Sequence, residues 1–106
     1  MKTDQYLSDK IKAARTSESG EGWLTFNGKH CRIATGQKAI DAALDAIGPS
    51  GFPGVSLPAF VRSKRGISYK HVHRHDGGRI RETDGSRYMN DSDVMAVVLE
   101  EHENEA

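Results

Sequence analysis

The chain has 106 residues, and its 15 lysines and arginines balance 15 aspartates and glutamates, so the formal net charge is zero at pH 7. This length allows one modest hydrophobic core and excludes a catalytic domain with a separate regulatory domain. The single cysteine, Cys31, excludes an internal disulfide and a zinc site built from several cysteines. The polar start from Met1 to Lys12, and the lack of any apolar run approaching ~20 residues, predict a cytoplasmic protein without a membrane partner.

A short helix is predicted near the start of the chain, because three apolar residues recur there at helical spacing (Leu7, Ile11 and Ala14). A β-hairpin is predicted from Trp23 to Ile33, because the dipeptide Asn27-Gly28 accepts the two positive φ angles of a type I′ turn. This two-residue turn fixes the pairing of the strands. One face of the hairpin should therefore point to the core, with Leu24, Phe26, Cys31 and Ile33.

A second helix is predicted to begin at Thr35 or Gly36 and to end at Gly48-Pro49, where glycine can take a left-handed conformation and proline cannot continue the helix. Its apolar stripe consists of Ile40, Ala43, Leu44 and Ile47. A loop over residues 49–58 follows. Three strands are then expected to form a meander, at Ala59 to Ser63, Ile67 to His75 and Arg79 to Thr83.

The segment from Val94 to Leu99 is compatible with a helix or a strand, and the helical spacing of Met95, Val98, Leu99 and His102 favours a helix. Residues 100–106 are acidic and are expected to fray, because acid at a helix C-terminus opposes the helix dipole. Residues 1–106 should form a single α+β domain, with an antiparallel sheet of about five strands and two or three helices packed on one face.

A basic, histidine-rich hairpin is the most informative segment for function. Seven positive residues and one negative residue lie between Arg62 and Arg81, a net charge of +6. A two-residue turn at Asp76-Gly77 or at Gly77-Gly78 would place the same residues on each face of the hairpin. One predicted face carries Ser68, Lys70, Val72, Arg74, Arg79 and Arg81, and the other carries Ile67, Tyr69, His71, His73, His75, Ile80 and Glu82.

Four cations on one sheet face indicate a solvated surface or a polyanionic partner, since like charges opposite one another cost up to ~1 kcal/mol per pair. DNA or RNA is the favoured partner, bound through Lys70, Arg74, Arg79 and Arg81. Five further residues are expected to extend this surface: Arg62, Lys64, Arg65, Trp23 and Arg32. The alternative interpretation is a solvated basic face that the acidic C-terminal segment neutralises.

Three histidines alternate along one predicted strand, namely His71, His73 and His75. A His-x-His pair on one strand face can hold a metal ion. Ile67 and Tyr69 share this face, however, and favour a half-buried surface on which the imidazoles pack and form hydrogen bonds. No cofactor is therefore expected, and a divalent metal at these histidines is the alternative.

The last third of the chain resembles an HNH-type ββα-metal nuclease at a few positions. The matching residues are His73, His75 and Asp76 at a strand end, Asn90 in a loop and His102 in the last predicted helix. The resemblance covers about thirty residues and implies a histidine that activates water and a divalent ion on the scissile phosphate. The chain departs from the family pattern because the two strand histidines are not adjacent and no cysteines support the fold.

The function predicted from these patterns is a small non-enzymatic binding module, with nucleic acid favoured as the partner. Two alternatives come from other classes of protein. One is a small protein-binding inhibitor or adaptor of the kind that phages and other mobile elements encode. The other is the metal-dependent nuclease that the HNH resemblance implies.

Overall fold

A computed structural model describes residues 2–47, 56–74, 79–83 and 88–103 of the chain. In chain order the elements are α1 (Lys2–Arg15), β1 (Glu21–Phe26), β2 (Lys29–Ala34), α2 (Gln37–Ala46), β3 (Leu57–Ser63), β4 (Gly66–Arg74), β5 (Ile80–Glu82), β6 (Tyr88–Met89) and β7 (Val94–Glu103). One turn of 3-10 helix, Asp91–Asp93, precedes β7. The strands form one 7-stranded antiparallel sheet in the order β1-β2-β7-β3-β4-β5-β6. The α+β class is confirmed, and the predicted number of strands was too low.

The first hairpin follows the predicted register. Asn27 and Gly28 have φ angles of +50° and +74°, as a two-residue turn with left-handed residues requires. Leu24 pairs with Cys31, and Trp23 pairs with Arg32. Three of the four residues expected in the core are almost fully buried (Leu24, Cys31 and Ile33), and Phe26 packs against the same cluster.

The two helices cover opposite sides of the sheet, so the expectation that they share one face is wrong. On the α1 side, Leu7, Ile11 and Ala14 pack against strand residues that include Ile33 and Phe60. On the α2 side, the buried helix residues Ile40 and Leu44 pack with alternate strand residues, among them Ala59, Val61, Val72, Ile80 and Val97. This arrangement makes the central strands apolar on both faces, which explains why they lack a simple alternation of polar and apolar residues.

Strand β7 replaces the helix that was favoured over Val94 to Leu99. It lies between β2 and β3, where Val97 pairs with Ala34 on one side and with Ala59 on the other. A central strand with a helix on each face reads as a continuous apolar run, which cannot be distinguished from a buried helix by periodicity. The β-branched valines fit the strand.

The acidic end differs from its expected frayed state over residues 100–103. These residues belong to β7 and pair with Lys29–Arg32 of β2. Lys29 Nζ lies 3.4 Å from Glu101 Oε2, and Arg32 forms an ion pair with Glu100. Cross-strand pairs of opposite charge therefore stabilise the acidic segment as a strand. Residues 104–106 lie outside the described part of the chain, as do the predicted helix end at Gly48-Pro49, most of the loop at 49–58 and the predicted turn at 76–78.

Neither of the helices described in the structure is long and apolar enough to cross a membrane.

Candidate nucleic-acid interface

The pairing of β4 with β5 decides which cations share a face of the sheet. His73 lies opposite Arg81, and Arg74 lies opposite Ile80. Both predicted registers were wrong, since the connection between Arg74 and Ile80 has an odd number of residues and a two-residue turn cannot produce it. The consequence is that Arg81 lies on the α1 side of the sheet, whereas Arg74 and Lys70 lie on the α2 side.

Lys70 and Arg74 are engaged by carboxylates within the fold. Lys70 Nζ lies 3.5 Å from Glu82 Oε1, at the wall of a polar cleft of about 310 Å³. The Arg74 guanidinium donates to Asp41 Oδ1 of α2 at 2.7 Å, and its Nε lies 3.8 Å from Asp45. The predicted face with four cations and no carboxylate is therefore not formed. Arg74 instead links β4 to α2.

Arg79 and Arg81 meet at the opposite face, on the ring of Tyr88. Tyr88 is the residue of β6 that pairs with Arg81. The guanidinium carbon of Arg79 lies 4.6 Å from the centre of the Tyr88 ring, and that of Arg81 lies 5.7 Å from it. Both distances are within the range of a cation–π contact. Tyr88 remains 37% exposed.

Arg81 also carries a donor that is not satisfied within the described part of the protein. Its Nε is buried and has no hydrogen-bond partner among the described residues. A buried guanidinium donor without a partner is costly, because it has lost water and gained nothing in return. Because this Nε atom is buried, a ligand at the surface could reach Arg81 only through its other guanidinium nitrogens.

His71 and His73 adjoin these arginines on β4. The Nδ1 atom of His73 lies 2.9 Å from the hydroxyl oxygen of Thr83, and the amide of Thr83 donates to the carbonyl oxygen of His71 at 2.8 Å. The His71 ring contacts the Tyr69 ring edge to face, at 5.7 Å between centres. These contacts hold both imidazoles on the strand surface.

We call this surface the arginine–tyrosine face and define it as His71, His73, Arg79, Arg81 and Tyr88. Strand parity gives the α1 side of β4, β5 and β6 a set of described residues without any carboxylate: Ile67, Tyr69, His71, His73, Arg81 and Tyr88, with Arg79 and Thr83 adjoining. The positive charges on this face are therefore not neutralised from within the described strands that carry them.

One carboxylate, Glu101, borders the face and is already engaged. The Tyr69 hydroxyl donates to Glu101, and Lys29 lies on the other side of this carboxylate. The hydrogen bond from Tyr69 holds the pKa of Glu101 below its usual value, and Lys29 lowers it further. The pKa of Tyr69 is raised by burial first and by Glu101 second. Glu101 therefore lies at the border of the arginine–tyrosine face, where it is bonded to Tyr69 and Lys29.

The remaining predicted binding residues are placed apart from the arginine–tyrosine face. Arg62, Lys64 and Arg65 are exposed at the turn between β3 and β4 and form no ion pair within the described residues. Arg62 pairs with Ile67, which is roughly 20 Å along β4 from His73 at the rise of a strand. These three cations could reach the same partner only if that partner is extended.

Trp23 and Arg32 belong to the other edge of the sheet and to its α2 side. Arg32 forms ion pairs with Glu21 and Glu100, and these hydrogen bonds raise its pKa. Trp23 stacks on His30, at 4.6 Å between ring centres and 11° between planes. Neither residue joins Arg79 and Arg81 in one surface, although the sequence had suggested that they would.

The described residues contain no group of three or more histidine, cysteine, aspartate or glutamate side chains that could hold a metal ion. His75 and Asp76 lie outside them. Of the residues that resemble the HNH motif, His73 is on the α1 side of β4, whereas His102 pairs with His30 on the α2 side of β7. These two histidines do not converge, since β7 takes the place of the helix that would carry one of them.

Tyr88 is the member of the site that sequence reasoning missed. It lies in a strand of two residues, Tyr88–Met89, which is too short to give a periodic signal. Its contact with Arg79 and Arg81 depends on the pairing of β5 with β6. Nothing in the local sequence around Tyr88 indicates that pairing.

No family model, no curated protein and no solved structure matches this chain.

Proposed function

We propose that the protein is a small, cytoplasmic, non-enzymatic binding module that binds nucleic acid through the arginine–tyrosine face. The observation that carries this proposal is the position of Arg79 and Arg81 on one exposed tyrosine ring, with no carboxylate among the described residues on the α1 side of β4, β5 and β6. Two guanidinium groups held together, with no counter-charge among the described residues of these three strands on that side, form a favourable place for an anion.

A phosphate backbone fits this arrangement better than an isolated anion does. Guanidinium groups donate in pairs to phosphate oxygens through their nitrogens, and the guanidinium groups of Arg79 and Arg81 lie on the same Tyr88 ring. The Tyr88 ring and the imidazoles of His71 and His73 offer flat surfaces against which unpaired bases can stack. Phosphate contacts carry most of the affinity in this mode, so binding should depend steeply on salt and weakly on base sequence.

The charge distribution of the sheet also supports one orientation of the nucleic acid. On the same α1 side of the sheet, the end of β7 carries Glu101 and Glu103. These carboxylates would repel a polyanion that crossed the whole sheet. The nucleic acid should therefore run along β5 and β6. A longer nucleic acid could also reach Arg62, Lys64 and Arg65 at the far end of β4.

The test of this proposal is direct binding by the wild-type protein. Fluorescence anisotropy of labelled single-stranded and duplex DNA and RNA of about 20 nucleotides should rise on titration at low salt, and the affinity should fall as salt is added. Anisotropy that stays flat for all four oligonucleotides at low ionic strength would overturn the proposal.

A further inference from the structure

A second surface, at the opposite edge of the sheet, is independent of the proposed nucleic-acid site. We call it the tryptophan face and define it as Glu21, Trp23, His30, Arg32, Glu100 and His102. These residues lie on the α2 side of β1, β2 and the end of β7, where strand parity places them together. The arginine–tyrosine face lies on the α1 side of β4, β5 and β6, so one rigid ligand of small size cannot cover both.

Trp23 is exposed and yet held in position. It keeps 42% of its surface accessible, the largest fraction among the exposed large hydrophobic residues that the structure describes. His30 stacks on it almost parallel, and the His102 ring lies 6.1 Å away at 29°. An aromatic ring fixed by its neighbours loses little conformational entropy when a partner binds to it.

The charges around Trp23 favour a partner whose binding segment is positively charged. Arg32 is the only cation of the tryptophan face and is bound on two sides, through Nη1 to Glu21 and through Nε to Glu100. Two carboxylates against one guanidinium leave this face with a net charge of −1 when the histidines are neutral. His102 Nε2 lies 3.1 Å from the second oxygen of Glu100.

We propose that the tryptophan face binds a lysine- or arginine-bearing segment of a protein partner. A cationic side chain gains from both features of this face, because it is attracted to the electron-rich surface of an indole ring and to nearby carboxylates. The two carboxylates repel phosphate, so nucleic acid does not fit. An acidic segment does not fit either, because Arg32 already forms ion pairs with Glu21 and Glu100.

The chain offers a reporter for this site, since Trp23 is its only tryptophan. Fluorescence excited at a wavelength that tyrosine does not absorb therefore reads the tryptophan face alone. Titration with a lysine- and arginine-rich peptide should change the emission of Trp23 and saturate, whereas a glutamate-rich peptide of equal length should have no effect. Peptide affinity should fall as salt is added.

Two variants with the same loss of charge locate the effect. Glu21→Gln combined with Glu100→Gln should weaken binding of the basic peptide by at least about fivefold, because both carboxylates of the face are neutralised. Asp9→Asn combined with Asp91→Asn removes two exposed carboxylates elsewhere and should leave the affinity unchanged. The Trp23→Phe variant should also bind the basic peptide more weakly, as measured with a labelled peptide. This variant leaves the ion pairs of Arg32 with Glu21 and Glu100 in place.

Several outcomes would overturn this inference and leave the nucleic-acid proposal intact. One is an equal response to the basic and the acidic peptide, and another is the absence of any response. A change in Trp23 emission on raising the protein concentration alone would identify a second copy as the occupant. A change produced by an oligonucleotide, and retained when Arg79 and Arg81 are both replaced by alanine, would identify nucleic acid instead.

Discussion

Arg81 lies directly opposite His73 across β4 and β5, and this pairing separates it from Lys70 and Arg74. Arg81 contacts Tyr88 on the α1 side, while the other two cations contact carboxylates on the α2 side. The shift of one residue relative to the registers expected from the sequence changes which cations can act together.

The separation of Lys70 from Arg81 predicts unequal effects on nucleic-acid binding. Arg81→Ala should weaken oligonucleotide binding by about fivefold, the value of one charge-assisted contact near the surface. Lys70→Ala should change it by less than about twofold, because the Lys70 ammonium already faces Glu82 and lies on the other side of the sheet. Anisotropy titrations at one fixed salt concentration make the comparison, and equal losses in the two variants would contradict this assignment of the faces.

Gly66 is predicted to be the more sensitive of two glycines in tight turns. Its φ is +115°, which L-residues rarely adopt, and a Cβ atom there would lie 1.9 Å from the Asp4 carboxylate. Gly66→Ala should lower the free energy of unfolding by about 2 to 3 kcal/mol. Gly28→Ala is the matched control, since its φ is +74° and no atom lies within 4 Å of the added Cβ. Gly28→Ala should lower the free energy of unfolding by about 1 kcal/mol, as measured by urea unfolding. An equal loss in both variants would show that Gly66 is not the more sensitive position.

Tyr6 is predicted to protect the open edge of the sheet at β1. Its hydroxyl oxygen accepts a hydrogen bond from the Thr25 amide at 2.9 Å. Tyr6→Phe should leave that amide to solvent and cost about 1 kcal/mol of stability. Hydrogen exchange of the Thr25 amide should accelerate clearly more than that of the Leu24 amide on the same strand. Unchanged exchange at Thr25 would show that the hydroxyl does not protect the edge.

The Tyr69–Glu101 hydrogen bond predicts a stability difference that depends on pH. The pKa of Glu101 is lowered in the folded protein, chiefly by the Tyr69 hydroxyl. Its stabilisation is therefore fully present above the unfolded pKa of the carboxyl and is lost as pH falls through the lower folded pKa. Tyr69→Phe keeps the ring contacts and removes only the hydroxyl. It should lower the free energy of unfolding by about 1 kcal/mol or less at pH 7, since solvent weakens the bond at this partly exposed site. At pH 3 the loss should be clearly smaller.

Tyr6→Phe is the control for this pH dependence, because the Tyr6 hydroxyl bonds to a backbone amide. Urea unfolding of the wild type and both variants at pH 7 and pH 3 gives the comparison. The cost of Tyr6→Phe should be the same at both values of pH. A cost of Tyr69→Phe that does not fall in acid would contradict the charge-assisted bond to Glu101.

The first hairpin shows where sequence patterns suffice. Asn27-Gly28 fixes a turn of known length, so the partner and the face of every residue in β1 and β2 follow from counting. The face of Arg81 could not be obtained in this way. The glycines after Asp76 allow turns of several lengths, and a change of one residue reverses every side chain of β5.

Strand β7 shows a second reason why a prediction from the sequence was wrong, since a helix was favoured there. Its partners, β2 and β3, are distant in the sequence, and helices cover it on both sides. Local spacing of Met95, Val98 and Leu99 carries no information on either fact. The ion pairs of Glu100 and Glu101 with β2 likewise depend on this long-range pairing, so the fraying expected for the acidic end could not be corrected from the sequence.

The salt dependence of oligonucleotide binding is the most direct measure of phosphate contacts made by Arg79 and Arg81. The logarithm of the dissociation constant, plotted against the logarithm of salt concentration, has a slope of about 0.7 to 0.9 for each phosphate that a cation neutralises. We predict that replacing both Arg79 and Arg81 by alanine lowers this slope by about 1.5 and weakens binding at least tenfold at low salt. The control, Lys12→Ala with Lys38→Ala, removes two exposed helix cations and should retain the wild-type slope. A slope and an affinity for the arginine variant equal to those of the control would contradict the assignment of nucleic-acid binding to the arginine–tyrosine face.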